Sequence, residues 1–288
     1  MLNILVTGSN GQLGSEIKEL ASEYAYTFFF TDKDELDITN PHNITEFVEK
    51  NNIDIIINCA AYTTVDKAES DETNANKVNH LAVQYLAKIA KEKNIKLIHI
   101  STDYVFDGKG HMPYKESDIT NPNGVYGRTK LDGENAMIKI NPQNSIIIRT
   151  SWVYSSYGTN FVKTMLRLGK EKEQLGVIYD QVGTPTYALD LAKVILEILP
   201  QIKNKNVEIY NYSNEGVLSW YDFAKEIMRM SKSKCQINPI ETFEYPTPAQ
   251  RPQYSLLNKS KIKNMFNITI PYWKDSLDAC LQKMGERR

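Results

Sequence analysis

Tyr126 and Lys130 are the residues whose types and spacing point most directly to chemistry. They stand four positions apart at the start of a predicted helix, so both side chains should lie on one face of it. A tyrosine can protonate a developing alkoxide if its pKa falls toward neutrality, and a neighbouring ammonium favours that fall. Thr102 ends the predicted strand KLIHIST and could donate a hydrogen bond to the same oxygen. These residues predict the acid–base half of a ketone reduction.

The segment TGSNGQLG supports this interpretation, because by itself a Tyr–Lys spacing of this kind often arises by chance in a helix. It places Gly8, Gly11 and Gly14 in a turn between a predicted strand and a predicted helix. Glycine permits the tight bend and the close approach of backbone to a pyrophosphate, and the helix N-terminus attracts the phosphates. The spacing is GxxGxxG rather than the GxGxxG fingerprint, so a plain tight connection is the alternative.

The second predicted strand ends at Asp32, where an acidic residue can bind the adenosine ribose and disfavour a 2′-phosphate. Lys33 follows immediately and could offset that preference. Lys130 could also hold the nicotinamide ribose. NADPH and NADH therefore both remain possible cofactors.

Short apolar runs alternate with amphipathic segments from LNILVTG onward, which is typical of βαβ units in a parallel sheet. The runs IDIIINCAAY and KLIHISTDYVF are almost continuously apolar and predict central strands covered on both faces. We predict helices over about 76–93 and 126–140, and one further strand from SIIIRTSWVY. The predicted fold is α/β, a Rossmann-type doubly wound parallel sheet with a smaller α/β substrate-binding lobe. Residues 1–174 would form the NAD(P)-binding domain, and 175–288 mainly the lobe, with some segments returning to the core.

The composition is that of an ordinary soluble globule, with 41% hydrophobic residues, 24% charged residues and a net charge of −1. That charge balance does not indicate a nucleic-acid surface. The three cysteines are far apart and suggest neither a disulfide framework nor a zinc site. No stretch approaches the roughly 20 apolar residues that span a bilayer. We expect a cytoplasmic protein without a membrane partner.

Besides TGSNGQLG and YGRTKLDGE, six further segments are informative: LDITN from Leu36, NCAAYTTVDKAE from Asn58, STDYVFDG from Ser101, RTSWVY from Arg149, DQVGTPT from Asp180 and AQRPQYSLLN from Ala249. With these segments the chain resembles, over nearly its whole length, the dTDP-4-dehydrorhamnose reductases, which are extended short-chain dehydrogenases. The resemblance implies that Thr102, Tyr126 and Lys130 form the catalytic triad and that a nucleotide sugar is the substrate.

The same resemblance implies two sets of binding residues. Asn79 would touch the cofactor or only cap a neighbouring loop, and Trp152 would face the sugar or only fill the core. An arginine at position 251 suits a diphosphate through a bidentate contact. The implied cofactor set is Gly8, Asn10, Gln12 and Leu13 at the pyrophosphate, Asp37 and Ile38 at the adenine, and Ala60, Ala61, Tyr62 and Asn79 toward the ribose and nicotinamide. The implied substrate set is Val65, Asp66, Thr102, Asp103, Tyr104, Trp152 and the segment from Arg251 to Ser255.

Several rival functions share parts of this pattern. Nucleotide-sugar 4,6-dehydratases carry an Asp-Glu pair after the threonine, whereas Asp103 and Tyr104 follow Thr102 here. C4 epimerases and other nucleotide-sugar 4-ketoreductases stay open on physical grounds, although STDYVFDG and RPQYSLLN resemble the reductase. A non-catalytic relative, the regulatory subunit of methionine adenosyltransferase, would bind a dinucleotide without turnover. The intact Thr, Tyr and Lys set favours the enzyme.

Some members of the resembling family are metal-linked dimers held through carboxylates, one of them near the C-terminus. Glu286 lies among basic residues in KMGERR and is a doubtful ligand. We therefore predict no catalytic metal and either a monomer or a homodimer.

Overall fold

A six-stranded parallel sheet forms the centre of the protein, in the computed structural model that describes residues 1–287. Its strand order is β10-β5-β4-β3-β1-β2, and every neighbouring pair is parallel. This arrangement confirms the predicted Rossmann-type α/β fold, with β3 and β4 central. The strands are β1 (Asn3–Thr7), β2 (Thr27–Thr31), β3 (Ile55–Asn58), β4 (Lys96–Thr102), β5 (Ile146–Thr150), β6 (Val153–Tyr154), β7 (Gln174–Ile178), β8 (Val182–Gly183), β9 (Thr186–Tyr187), β10 (Glu208–Tyr212), β11 (Leu218–Ser219) and β12 (Gln236–Ile240).

Helices cover both faces of this sheet, because successive strand residues point to opposite sides. Leu5 packs with α2, α5 and α6 on one face, while Ile4 and Val6 pack with α1, α8 and α10 on the other. The near-continuous apolar runs of the sequence follow from this double burial. The α-helices are α1 (Gln12–Leu20), α2 (Pro41–Lys50), α3 (Val65–Ala68), α4 (Glu72–Asn76), α5 (Ala82–Lys93), α6 (Val125–Ile140), α7 (Phe161–Glu171), α8 (Ala188–Ile198), α9 (Trp220–Met230), α10 (Ser260–Phe266) and α11 (Trp273–Lys283).

A second hydrophobic core lies outside the main sheet and is built from α7, α9 and α11 with short strand pairs. Those pairs are β6 with β9, β7 with β12, and β8 with β11. Although β10 comes late in the chain, it returns to the edge of the main sheet beside β5. The boundary at residue 175 stays a prediction. No helix within residues 1–287 has the length and apolar character that a membrane crossing requires.

Two predicted elements differ from the structure. The segment SIIIRTSWVY is not one strand: β5 belongs to the main sheet and β6 pairs with β9, because Trp152 between them has a φ of +48° that turns the chain. The helix predicted from about residue 76 begins earlier, since α4 runs into α5 through a π-helical turn over Lys77–Leu81. Such turns are invisible to a search for the 3.6-residue period.

A buried ion pair joins the sheet to the helix that carries Tyr126. Arg149 on β5 and Glu134 on α6 are 3% and 0% exposed, and Nη2 donates to Oε2 at 2.7 Å. A second donor, Nε, bonds to the same carboxylate, and Ser101 Oγ donates to Oε1. Because charges this deep need full pairing, the cluster fixes α6 against β4 and β5.

We expect Arg149→Met to lower the free energy of unfolding by about 3–5 kcal/mol, because it leaves the Glu134 carboxylate buried without its partner. Denaturant unfolding monitored by circular dichroism measures the loss. The control Arg128→Met removes an exposed pair with Glu72 and should cost less than about 1 kcal/mol. Equal losses in the two variants would contradict a special role for the buried pair.

Candidate active site

The glycine turn after β1 forms a cradle that side chains would fill. Gly8 has a φ of +64°, and a Cβ there would lie 2.7 Å from the Ala60 backbone. A Cβ at Gly14 would lie 2.5 Å from the Gly8 carbonyl oxygen. Gly11 precedes the first turn of α1, and no side chain caps that turn. Free N–H groups, a positive helix end and open backbone fit the diphosphate of a dinucleotide.

The carboxylate of Asp32 lies beside this turn, where the sequence predicts it. Its oxygens accept from the backbone N–H groups of Asn10 at 3.1 Å and Lys33 at 2.8 Å. Both contacts are exposed, so the carboxylate stays accessible to a ribose.

Several residues of the implied cofactor set already have partners inside the protein. Gln12 bonds to the Val153 carbonyl and to Asn160, and Leu13 packs in the core. Asp37 accepts from the backbone and hydroxyl of Thr39, and the Thr39 hydrogen bonds hold its pKa below the ordinary value. Ile38 is buried in the core. The side chains of these residues are therefore engaged in contacts within the protein.

Asn79 lies in the π-helical turn and holds the loop after β3. Its Oδ1 accepts from the Tyr62 N–H at 2.9 Å, and its Nδ2 donates to the Tyr62 carbonyl and to Thr129 Oγ1. The loop Ala60–Ala61–Tyr62 is thereby fixed against α6, close to Gly8. In this structure Asn79 therefore has the second of its two expected roles: it fixes the loop after β3 by hydrogen bonds.

The residues predicted to be catalytic converge at the end of β4 and the start of α6. Thr102 Oγ1 donates to Asp103 Oδ1 at 3.0 Å and accepts from the Tyr104 N–H at 3.2 Å. The rings of Tyr104 and Tyr126 meet edge to face with centroids 5.4 Å apart. The Tyr126 ring therefore lies against the turn that follows Thr102 at the end of β4.

The electrostatics at Tyr126 differ from the expectation. Burial raises the pKa of its phenol to about 12, the Thr102 interaction opposes this rise, and the nearby Asp103 charge adds to it. The predicted fall toward neutrality is wrong for this structure, because desolvation of the phenolate is the largest effect. Burial likewise lowers the pKa of Lys130 to about 8, although the Glu134 charge opposes this, and its Nζ donates to the Ile100 carbonyl at 2.6 Å.

Two residues of the implied substrate set, Arg251 and Asp66, join the C-terminal segment to α3. The guanidinium makes a bidentate pair, with Nη1–Oδ1 of 2.6 Å and Nη2–Oδ2 of 2.7 Å. Asp66 also accepts from the Ala249 N–H, and this loop lies next to the partly exposed Val65. An anionic ligand would have to compete with Asp66 for Arg251.

Asp103 is a buried carboxylate in the same region. Burial raises its pKa to about 7, while interactions with Thr102 and Ser255 act in the opposite direction. Its Oδ2 has no hydrogen-bond partner among the described residues. An unsatisfied buried oxygen of this kind needs a donor, which a substrate hydroxyl can supply.

Trp152 is only partly buried, and its indole stacks on Trp220 with centroids 3.7 Å apart. A Cβ on Gly183 would lie 2.6 Å from Ser255 Oγ and 2.9 Å from the Trp152 ring. Trp152 and Ser255 are therefore neighbours. Trp220 is not among the predicted site residues, because nothing in its position along the chain indicates its contact with Trp152.

Glu286, the carboxylate weighed as a metal ligand in the sequence, bonds through Oε1 to Lys170 Nζ at 2.6 Å. Within residues 1–287 no group of three or more histidine, cysteine, aspartate or glutamate side chains could hold a metal ion.

We expect Gly14→Ala to weaken dinucleotide binding, by on the order of 10-fold in Kd or more, because the new Cβ must displace the Gly8 carbonyl from the cradle. Isothermal titration with NADPH and NADH measures this. In the control Gly176→Ala, the new Cβ would meet only the flexible Ile240 side chain. Unchanged Kd in Gly14→Ala would rule out the turn as the diphosphate site.

Residues 2–286 match a family model described as the RmlD substrate binding domain. The dTDP-4-dehydrorhamnose reductase of Aggregatibacter actinomycetemcomitans is 42% identical, covering 96% of this chain and 97% of that protein. The enzyme of the same name from Escherichia coli (strain K12) is 40% identical, covering 98% of each.

Solved structures agree with these sequence relatives. A dTDP-4-dehydrorhamnose reductase from Clostridium acetobutylicum ATCC 824 superposes with a TM-score of 0.92 at 41% identity, covering 99% of this chain and 100% of that one. The enzyme from Bacillus anthracis str. Ames in complex with NADP has a TM-score of 0.93 at 36% identity, covering 98% and 100%. This chain belongs to the dTDP-4-dehydrorhamnose reductase family.

Proposed function

We propose that this chain reduces the C4 ketone of dTDP-4-dehydro-6-deoxy-L-mannose, also called dTDP-4-dehydro-L-rhamnose, to dTDP-L-rhamnose, with NADPH or NADH as cofactor. The observation that carries the proposal is the contact of the Tyr126 ring with Tyr104, whose N–H bonds to Thr102 Oγ1, at the sheet edge that also bears the glycine cradle. Parallel sheets of this type bind their ligands at that edge. The two relatives named dTDP-4-dehydrorhamnose reductase, which match nearly the whole chain, support the choice of substrate.

Tyr126 is the proton donor in this proposal. A nicotinamide cofactor held at the glycine turn around Gly8 and Gly14 would supply the hydride for C4, and the ketone oxygen would become basic as negative charge develops on it. Because its pKa is raised to about 12, the phenol is protonated at neutral pH and ready to donate. Thr102 orients the ketone oxygen, and the Lys130 ammonium stabilises the phenolate that remains.

The remaining polar residues would hold the nucleotide sugar. Arg251 would exchange part of its contact with Asp66 for the diphosphate. Asp103, with its free Oδ2, and Ser255 would bind sugar hydroxyls, next to Tyr104 and Val65. The Trp152 ring would form a flat wall held in place by Trp220.

The cofactor preference depends on the neighbours of Asp32. Its accessible carboxylate favours NADH, whereas Lys33 would attract a 2′-phosphate, and the Bacillus anthracis relative is described with NADP. We therefore propose that the protein uses both NADH and NADPH. A cytoplasmic location and a monomeric or homodimeric state stay predictions.

The direct test offers the dTDP-4-dehydro-L-rhamnose substrate with NADPH or NADH and follows the nicotinamide absorbance. We expect oxidation of the cofactor and formation of dTDP-L-rhamnose. Activity with UDP or GDP analogues but not with the dTDP sugar would move the chain to a neighbouring 4-ketoreductase. Cofactor binding without any turnover would instead support a regulatory subunit.

We expect Tyr126→Phe to lower kcat by about 100-fold or more, because the ketone oxygen loses its proton donor. The Kd for the cofactor should change little. Stopped-flow turnover and a cofactor titration measure the two quantities. The control Tyr26→Phe removes a hydroxyl at the edge of the sheet and should leave kcat unchanged, whereas retained turnover in Tyr126→Phe would exclude that phenol as the acid.

Arg251→Ala should raise KM for the nucleotide sugar by on the order of 10-fold or more, with a smaller effect on kcat, because it removes a contact with the diphosphate and not with the reacting carbon. Steady-state kinetics at saturating cofactor measure both constants. Arg229→Ala is the control, since Arg229 is exposed and pairs with Glu226 on α9. If Arg251→Ala weakened only the binding of the cofactor, the assignment of Arg251 to the nucleotide sugar would be wrong.

A further inference from the structure

Asn160 joins the second hydrophobic core to the glycine turn, and the mechanism above does not use it. It stands at the N-terminus of α7 and is 9% exposed. Its Nδ2 donates to Gln12 Oε1 at 3.0 Å, across 148 positions of the chain. Gln12 is the first residue of α1, the helix that follows the glycine turn. One side-chain hydrogen bond therefore links α7 to the candidate dinucleotide site.

The direction of this hydrogen bond is fixed by backbone partners at both ends. Asn160 Oδ1 accepts from the Lys163 N–H at 3.1 Å. A backbone N–H can only donate, so the amide oxygen of Asn160 must face α7 and its NH2 must face Gln12. Gln12 Nε2 donates to the Val153 carbonyl at 3.3 Å, and a carbonyl can only accept. Because neither amide can be reversed without losing a backbone partner, the Gln12 side chain has one favoured orientation.

The loop between β6 and α7 encloses the Gln12 side chain. Asn160 Nδ2 also donates to the carbonyls of Ser155 at 2.7 Å and Tyr157 at 3.3 Å, which closes the loop on itself. Gly158 has a φ of +62°, and a Cβ there would lie 3.1 Å from Gln12 Cγ. The loop backbone therefore lies against the methylene groups of Gln12, while Asn160 binds the amide at the end of the same side chain.

The position of the Gln12 side chain matters because this residue belongs to the first turn of α1. No side chain caps that turn, and the first N–H groups of a helix have no partner within it. An amide oxygen is an acceptor, so a Gln12 side chain released from Asn160 competes with a phosphate for these groups. When Asn160 and Val153 hold the amide, its oxygen faces α7 and the N–H groups stay open.

We propose that Asn160 is a positioning residue for the dinucleotide site: it holds the Gln12 side chain away from the first turn of α1 and keeps the N–H groups of that turn available to the cofactor diphosphate. Asn160 acts through Gln12 and not by a contact of its own with the cofactor. The inference rests on the proposed function, because it takes the glycine turn as the cofactor site, and it gives the second hydrophobic core a part in cofactor binding.

Isothermal titration with NADPH tests the link in the variant Asn160→Ser. A serine retains an oxygen that caps α7 at the Lys163 N–H, but it is too short to reach Gln12. We expect Kd for NADPH to rise by about 3- to 10-fold, the range that corresponds to one hydrogen bond. The control Asn238→Ser removes another amide contact, with Gln174 at 3.2 Å between β12 and β7, and should leave Kd unchanged.

A double-mutant cycle separates positioning from packing of the loop. Gln12→Met keeps the length of the side chain and removes its amide. In the Gln12→Met background, Asn160→Ser should change Kd by less than about 2-fold, because the residue through which Asn160 acts is gone. Equal factors in the two backgrounds would contradict the positioning role, and so would an unchanged Kd in Asn160→Ser alone.

A second variant serves the same cycle if the smaller serine unfolds the loop. Asn160→Asp keeps the volume and the cap of α7 but cannot donate to Gln12. The carboxylate adds a charge in both backgrounds, so its general effect on NADPH cancels in the comparison. We again expect a smaller factor in the Gln12→Met background, and equal factors would overturn the proposal.

The outcomes for this inference and for the proposed function are distinguishable. NADPH binding that depends on the link between Asn160 and Gln12, without reduction of the nucleotide sugar, would refute the proposed reaction and leave the link standing. Reductase activity with equal factors in the two backgrounds would refute the link alone. A wild-type protein that binds neither NADPH nor NADH would refute both.

Discussion

The close approach of two backbones at the carboxyl edge of the sheet is the constraint on which the site depends. Gly8 after β1 packs against Ala60 after β3 so tightly that no side chain fits between them. The same Ala60 N–H then bonds to Asn58, and Asn58 reaches the His99 ring. One backbone contact therefore links the glycine turn after β1 to the interior around Lys130.

Burial sets the electrostatics of this edge. The ionisable side chains at the edge are desolvated, and this displaces their pKa values in the direction of the uncharged form: upward for Tyr126 and Asp103, downward for Lys130 and His99. Glu134 and Arg149 avoid the same penalty by pairing with each other. The site thus combines one compensated ion pair with two groups, Asp103 and Lys130, whose pKa values of about 7 and about 8 lie near neutrality.

The second hydrophobic core contributes to the site through short connections. The left-handed backbone at Trp152 carries the chain from β5 to β6 and places the indole on Trp220, at the start of α9. The pairing of Arg251 with Asp66 joins the C-terminal segment to α3. These contacts bring together residues that are far apart in the chain.

The sequence by itself determined the parallel sheet, the glycine cradle and the relation of Tyr126 to Lys130, because each depends on local periodicity or on neighbours a few positions away. It could not determine the pKa of Tyr126, the break in SIIIRTSWVY, or the partners of Asn79 and His99. Those depend on burial and on contacts between strands and helices distant in sequence, such as Asn58 with His99. Desolvation and hydrogen-bond direction are properties of the packed chain, and only the tertiary structure decides them.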